Sequence, residues 1–153
     1  MNWWQVANTP LTKEAQAARS LTLEGYTTFI PMSVTDKAVS RNTPARRLIH
    51  TILIPRVVFV LAPLNFSTHG LRHVKELRRN AAGEVLRISP LQMAQFQETH
   101  SEWLETQTKL YRAYINGLAR KGKKPEVIKP SVDGWVEAMK KLGNTLFGED
   151  LAA

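Results

Sequence analysis

The sequence predicts an α+β fold: a small antiparallel sheet with flanking helices, followed by an α-helical extension. Two observations carry this prediction. RRLIHTILIPRVVFVLAP, from Arg46 to Pro63, is the most apolar part of the chain and contains a strand-forming run apolar on both faces. After Pro90 the pattern changes to long apolar stripes at helical spacing. Between them the elements read β-α-β-β-β-β-α-α, an order that suits a sheet domain with a helical tail.

Trp3 to Ala7 (WWQVA) reads as the first strand. Thr9-Pro10 then supplies an N-cap and a first-turn proline, with Thr12 a competing cap. Leu11, Ala15, Ala18 and Leu21 form a helical stripe, and Gly25 fits a C-terminal stop. Tyr26 to Met32 alternates and is rich in β-formers, so it reads as the second strand. Ser33 to Arg47 is polar and basic, and is expected to form an irregular hairpin or mobile arm.

Arg56 to Leu61 is the central strand, because β-branched and aromatic side chains suit a pleated surface. Pro55 cannot donate to a ladder and belongs at the strand start or a bulge. Val57, Phe59 and Leu61 then face one way, and Val58, Val60 and Ala62 the other. Both faces need a cover, supplied by helices on both sides or by a partner protein on one. Leu64 to Arg72 holds at most one helical turn. His73–Arg79 and Glu84–Ile88 flank the turn-like tetrad Asn80-Ala81-Ala82-Gly83, which predicts a hairpin.

Ser89-Pro90 repeats the cap-plus-proline signal. The helix after it places Met93, Phe96, His100, Trp103, Leu110, Tyr114 and Leu118 near one face. Ala119 to Pro130 is a basic linker, and Ser131 caps a last helix carrying Trp135, Met139, Leu142 and Leu146. The domain division expected is 1–96 for the sheet domain and 97–153 for an αα-hairpin extension that continues the helix starting near residue 90. That hairpin is expected to pack away from Val57 and Phe59.

Composition narrows the function. There is no cysteine, which excludes disulfides and thiolate zinc sites. His69 and His73 have the spacing of two helical metal ligands, but Gly70 breaks the helix they would need, so no metal or cofactor is expected. No phosphate-cradling glycine loop or nucleophile motif is present, and Glu98, Glu102 and Glu105 read as a solvated helix face. The chain therefore reads as a binding module, not an enzyme. The apolar run from Leu48 to Ala62 is shorter than the roughly 20 residues of a spanning helix, and no signal-peptide pattern opens the chain. A cytoplasmic monomer without membrane contact is expected. The net charge of +8 and pI near 10.1 point to polyanions. Lys37, Arg41, Arg46 and Arg47 cluster on the arm with Arg56 just beyond, a pattern fitting phosphate contacts or a solvated loop. The linker cations Arg120, Lys121, Lys123, Lys124 and Lys129 are a weaker candidate.

Four segments resemble the NusG-type N-terminal domain. WWQVANTPLTKE is similar to that family's opening, EGYTTFIPM to its second strand, and ILIPRVVFVLAP to its central proline-plus-strand segment. RRNAAGEVLRIS is similar to the late hairpin of its antiterminator-like branch, so the resemblance runs in order over about residues 2 to 96. It implies a factor that docks on the clamp helices of the largest RNA polymerase subunit, near upstream and non-template DNA or nascent RNA, and acts in transcription elongation and antitermination. By position, Ile54, Val57 and Phe59 match the polymerase-contacting residues, with Val57 where tyrosine is usual. The family's C-terminal KOW barrel has no counterpart in residues 90 to 147. In one specialised branch a helical C-terminal hairpin covers the docking site. Competing readings are an inhibitor that displaces the host factor of this type and a free-standing basic nucleic-acid-binding protein.

Overall fold

The computed structural model describes residues 1–42 and 45–117. The chain runs through β1 (Asn2–Asn8), α1 (Glu14–Leu23), β2 (Thr27–Phe29), β3 (Met32–Ala38), β4 (Arg46–Ile52), β5 (Val57–Pro63) and α2 (Pro90–Gly117). The described residues thus form an α+β fold with two antiparallel sheets, one ordered β1-β5-β2 and the other a β3-β4 hairpin. The linker and the final helix expected at 131–147 lie outside the described residues.

The strand β5 sits in the middle because it can be buried on both sides. It pairs with β1 from Asn2↔Pro63 to Asn8↔Val57 and with β2 through Thr27↔Leu61 to Phe29↔Phe59. Its alternation divides the interior into two cores. Val57 and Phe59 join Trp4, Val6, Ile54, Leu86, Ile88, Met93 and Phe96 beneath α2. Val58, Val60 and Ala62 join Ala7, Ala17, Leu21, Phe66 and Val74 beneath α1. Gln5 is also buried, and its amide is satisfied by donating to the carbonyls of Ala62 and Pro63 at 3.2 and 3.0 Å.

The start of α1 differs from expectation. The helix begins at Glu14, its N-cap is Lys13 without a side-chain cap, and Leu11 is exposed. The Thr9 hydroxyl is turned to the Pro10 carbonyl, and Thr12 adopts a left-handed φ of 67°. The start is fixed instead by a tertiary bond: the buried Glu14 carboxylate accepts the Arg56 N–H at 2.9 Å. The C-terminus follows the sequence signal. Gly25, at φ 91°, donates to Thr22 and Tyr26 donates to Leu21, which is the Schellman arrangement.

Tyr26 to Met32 is not one strand. The Pro31 nitrogen cannot donate, so the ladder stops at Phe29 and the chain passes into a second sheet at Met32. The arm is correspondingly regular: β3 and β4 pair at seven successive positions from Met32↔Ile52 to Ala38↔Arg46. Leu64 to Arg72 contains turns and no α-helix. The late hairpin is reduced to isolated bridges: Ala7↔Leu77 and Trp4↔Ile88 cover the outer edge of β1, and Arg79↔Val85 joins the two arms of the turn.

The second helix opens as anticipated at Ser89-Pro90. Ser89 Oγ accepts the Gln92 N–H at 3.1 Å while Gln92 Oε1 accepts the Ser89 N–H at 3.2 Å, a reciprocal capping box. It then continues unbroken through residue 97 for 28 residues, about 42 Å. Met93, Phe96, His100 and Gln107 are its buried residues.

Phe59 is wholly buried, with its ring centroid 6.2 Å from those of both Phe29 and Phe96. Phe59→Ala is expected to cost about 3–5 kcal/mol of folding stability through the cavity it leaves. Urea unfolding monitored by circular dichroism checks this; a loss below about 1 kcal/mol would mean that the site collapses around the smaller side chain or is not core.

Candidate functional site

Two surfaces are candidate sites, one apolar and one cationic. The apolar one is the α2-facing side of β5. The sequence leaves a partner protein as one possible cover there, and the structure supplies a helix instead. Ile54, Val57 and Phe59 are only 8%, 2% and 0% exposed. The first two turns of α2 lay Met93 and Phe96 into the same core, so the expectation that the helical extension packs away from Val57 and Phe59 is corrected for its first helix. The reason is geometric: α2 starts at Pro90, two residues after Ile88 is tied to Trp4, and its stripe therefore falls on the nearest open sheet face.

Midway along α2, His100 fastens the helix to the step between the sheets. Its Nε2 lies 3.1 Å from the Met32 nitrogen and 2.7 Å from the Met32 oxygen. One tautomer accepts from the N–H, and the other donates to the carbonyl. The imidazole stacks on Phe96 at 6.3 Å and meets Phe29 edge-on at 5.7 Å, with Trp103 at 6.2 Å. Burial lowers its pKa below the usual 6.5, opposed by the hydrogen bond to Met32. The sequence placed His100 in the apolar stripe of this helix, but its partner 68 positions away left no sequence signal.

The cationic surface is the β3–β4 hairpin. Lys37 and Arg47 face each other directly across it and are both exposed, and Arg41 is exposed in the turn. Among the described residues none of these three enters an ion pair. Two cations directly opposite on a ladder repel, so the pair destabilises the hairpin unless an anion sits over it. Arg46 behaves differently: it forms an ion pair with Asp36, whose side chain is only 2% exposed. Asp36, unremarked in the sequence, thus holds one of the expected phosphate ligands within the hairpin. Arg56 is not beside the arm. It lies just before β5, past the base of a hairpin whose seven-residue strands span roughly 20 Å.

His69 and His73 do not share a helix, and His73 has a left-handed φ of 65°. Among the described residues no group of three or more potential ligands could hold a metal ion. No helix among them is long and apolar enough to cross a membrane. No protein-family model matches the chain, and no curated protein matches it.

Two expected outcomes follow from these contacts. A lowered folded-state pKa means that the unfolded chain binds a proton more readily, so stability falls as pH drops below 6.5 towards the folded value. His100→Gln should flatten that part of the stability–pH curve; an unchanged curve assigns the dependence to other groups. In the hairpin, Lys37→Glu replaces repulsion with attraction to Arg47 and should stabilise the fold by about 0.2–1 kcal/mol. Unchanged stability in thermal unfolding at low salt would show that the two cations do not feel each other.

Proposed function

We propose that the chain is an RNA polymerase-binding factor of the NusG N-terminal type, without the KOW barrel, acting in transcription elongation and antitermination. One observation carries the reading: the four segments that resemble this family assemble around β5 into one body. WWQVANTPLTKE forms β1 and reaches the first residue of α1, and EGYTTFIPM forms β2 and the passage into β3. ILIPRVVFVLAP contains the central strand, and RRNAAGEVLRIS covers the edge of β1.

In this reading Ile54, Val57 and Phe59 are the contacts for the clamp helices, while Lys37, Arg41 and Arg47 reach the phosphates of upstream or non-template DNA. The apolar contacts lie under α2, so the clamp helices and α2 compete for one surface, and docking costs the energy of moving the helix. The action is steric and electrostatic: the bound factor steadies the clamp and the upstream fork and so suppresses pausing. No catalytic step is involved.

A second reading is supported by the like-charge pair Lys37↔Arg47 together with the burial of Val57 and Phe59. It is a free-standing nucleic-acid-binding protein that needs no polymerase. Retention of the chain on purified RNA polymerase, intact or lacking the clamp-helix tip, separates the two. The polymerase reading expects retention that is lost with the tip; equal retention without the tip, or none on either, overturns it. Competition also sets the sign of a mutation. Phe96→Ala loosens α2 and should tighten polymerase binding several-fold in a titration, despite lower stability. Weaker binding by a folded Phe96→Ala chain would instead make α2 part of the docking surface.

A further inference from the structure

The outer edge of β1 carries a second set of cations that the sequence pattern did not group. Asn8 organises it. Its N–H donates to the Glu76 carbonyl at 2.8 Å and its carbonyl accepts from Lys75 at 2.9 Å, so two residues oppose one and the strand bulges. The Asn8 side-chain oxygen accepts Arg78 Nε at 3.1 Å. The neighbouring Thr9 donates to the Arg56 carbonyl at 3.0 Å, which brings Arg56 to the same corner. Arg56 is held there at a left-handed φ of 66° by the Glu14 carboxylate on its N–H. A non-glycine residue in that region is strained, and the buried carboxylate overrides the strain.

From this corner the chain projects as a short turn with a rigid tip. Asn80 Oδ1 accepts both the Ala82 and Glu84 N–H groups at 3.0 Å, and the Asn80 N–H donates to the Glu84 carbonyl. Arg79 lies opposite Val85, and Arg87 follows two residues after Val85, beside the Ile88 that bridges to Trp4. One Arg79 nitrogen donates to the Gly83 carbonyl at 2.9 Å, leaving the rest of its donor fork exposed. Arg56, Lys75, Arg79 and Arg87 are exposed and Arg78 is half-buried. The acids along the same stretch are Glu76 and Glu84, both exposed, so the edge is strongly cationic.

We propose that this edge is a second phosphate-contacting surface, fitted to the backbone of duplex DNA and independent of the β3–β4 arm. The two surfaces flank the three-stranded sheet: the arm follows β2 and this edge lies outside β1. Duplex is favoured over single strands because residues 72–87 contain no Phe, Tyr or Trp on which bases could stack. Cations set on a rigid turn, with no partner helix for the major groove, contact phosphates and read no sequence. The proposal deepens the reading above by naming a nucleic-acid contact, and it rests on that reading only for the setting in which the contact is used.

The test uses the full chain and a random-sequence DNA duplex, with no polymerase present, so its outcome does not depend on clamp docking. Affinity is measured against salt concentration for the unaltered chain, for Arg79→Gln with Arg87→Gln, and for Lys37→Gln with Arg47→Gln. Each pair should reduce the salt slope by about 1.8, from two contacts at about 0.9 each, and the reductions should add in the combined variant. Arg79→Lys with Arg87→Lys should keep the slope, since phosphate contact needs charge and not a planar fork. An edge variant that is folded by circular dichroism but has an unchanged slope overturns the proposal. So does tighter binding of the unaltered chain to single-stranded DNA or RNA than to duplex.

Discussion

The fold depends on one strand being acceptable to water on neither side. β5 is hydrogen-bonded along both edges, to β1 and β2, and carries Val57 and Phe59 on one face and Val58, Val60 and Ala62 on the other. Burying five such side chains is worth on the order of 10 kcal/mol in transfer free energy, comparable to the net stability of a whole domain. Neither α1 nor α2 alone can satisfy it. The two helices are bound to opposite sides of the same backbone.

Much of this was legible from residue patterns. The strand-forming run of β5, its division into two faces, the strand at WWQVA, the glycine stop after α1 and the Ser89-Pro90 helix start are local chemistry. Local chemistry survives folding when nothing distant opposes it. What could not be read is tertiary. Thr9 and Pro10 offered a cap, yet the helix begins at Glu14 because that carboxylate has a partner in the Arg56 N–H, 42 positions on. Ser33 to Arg47 looked irregular because charge obscured the alternation that puts Val34 and Asp36 on the covered side and Lys37 and Arg47 in solvent.

The candidate sites divide along the same line. Proximity in sequence groups Arg56 with the arm, while the bond from the Thr9 N–H holds it at the end of β1, next to Asn8, which bonds Lys75 and Arg78. Arg46 shared the arm's composition but not its exposure, since Asp36 lies diagonally across the ladder and holds it. Ile54, Val57 and Phe59 fit two demands, packing in a core and docking a partner, and in this structure they are buried. Periodicity cannot tell these apart, because both call for the same side chains. Only the position of α2 decides between them in the free chain.

The continuity of α2 across residue 97 bears on how the protein can be dissected. Its buried residues fall on both sides of that position, with Met93 and Phe96 before it and His100 and Gln107 after it. A fragment ending at residue 96 keeps the cover over Phe59 but removes His100 from Phe29 and from the Met32 backbone at the start of β3, and with it part of the helix that packs on β3 and β4. It would leave a two-stranded ribbon with a bare apolar side, too small to be stable alone and prone to self-association. The shortest well-behaved fragment of this chain therefore reaches at least one turn beyond Gln107, well past the boundary that the family resemblance suggests.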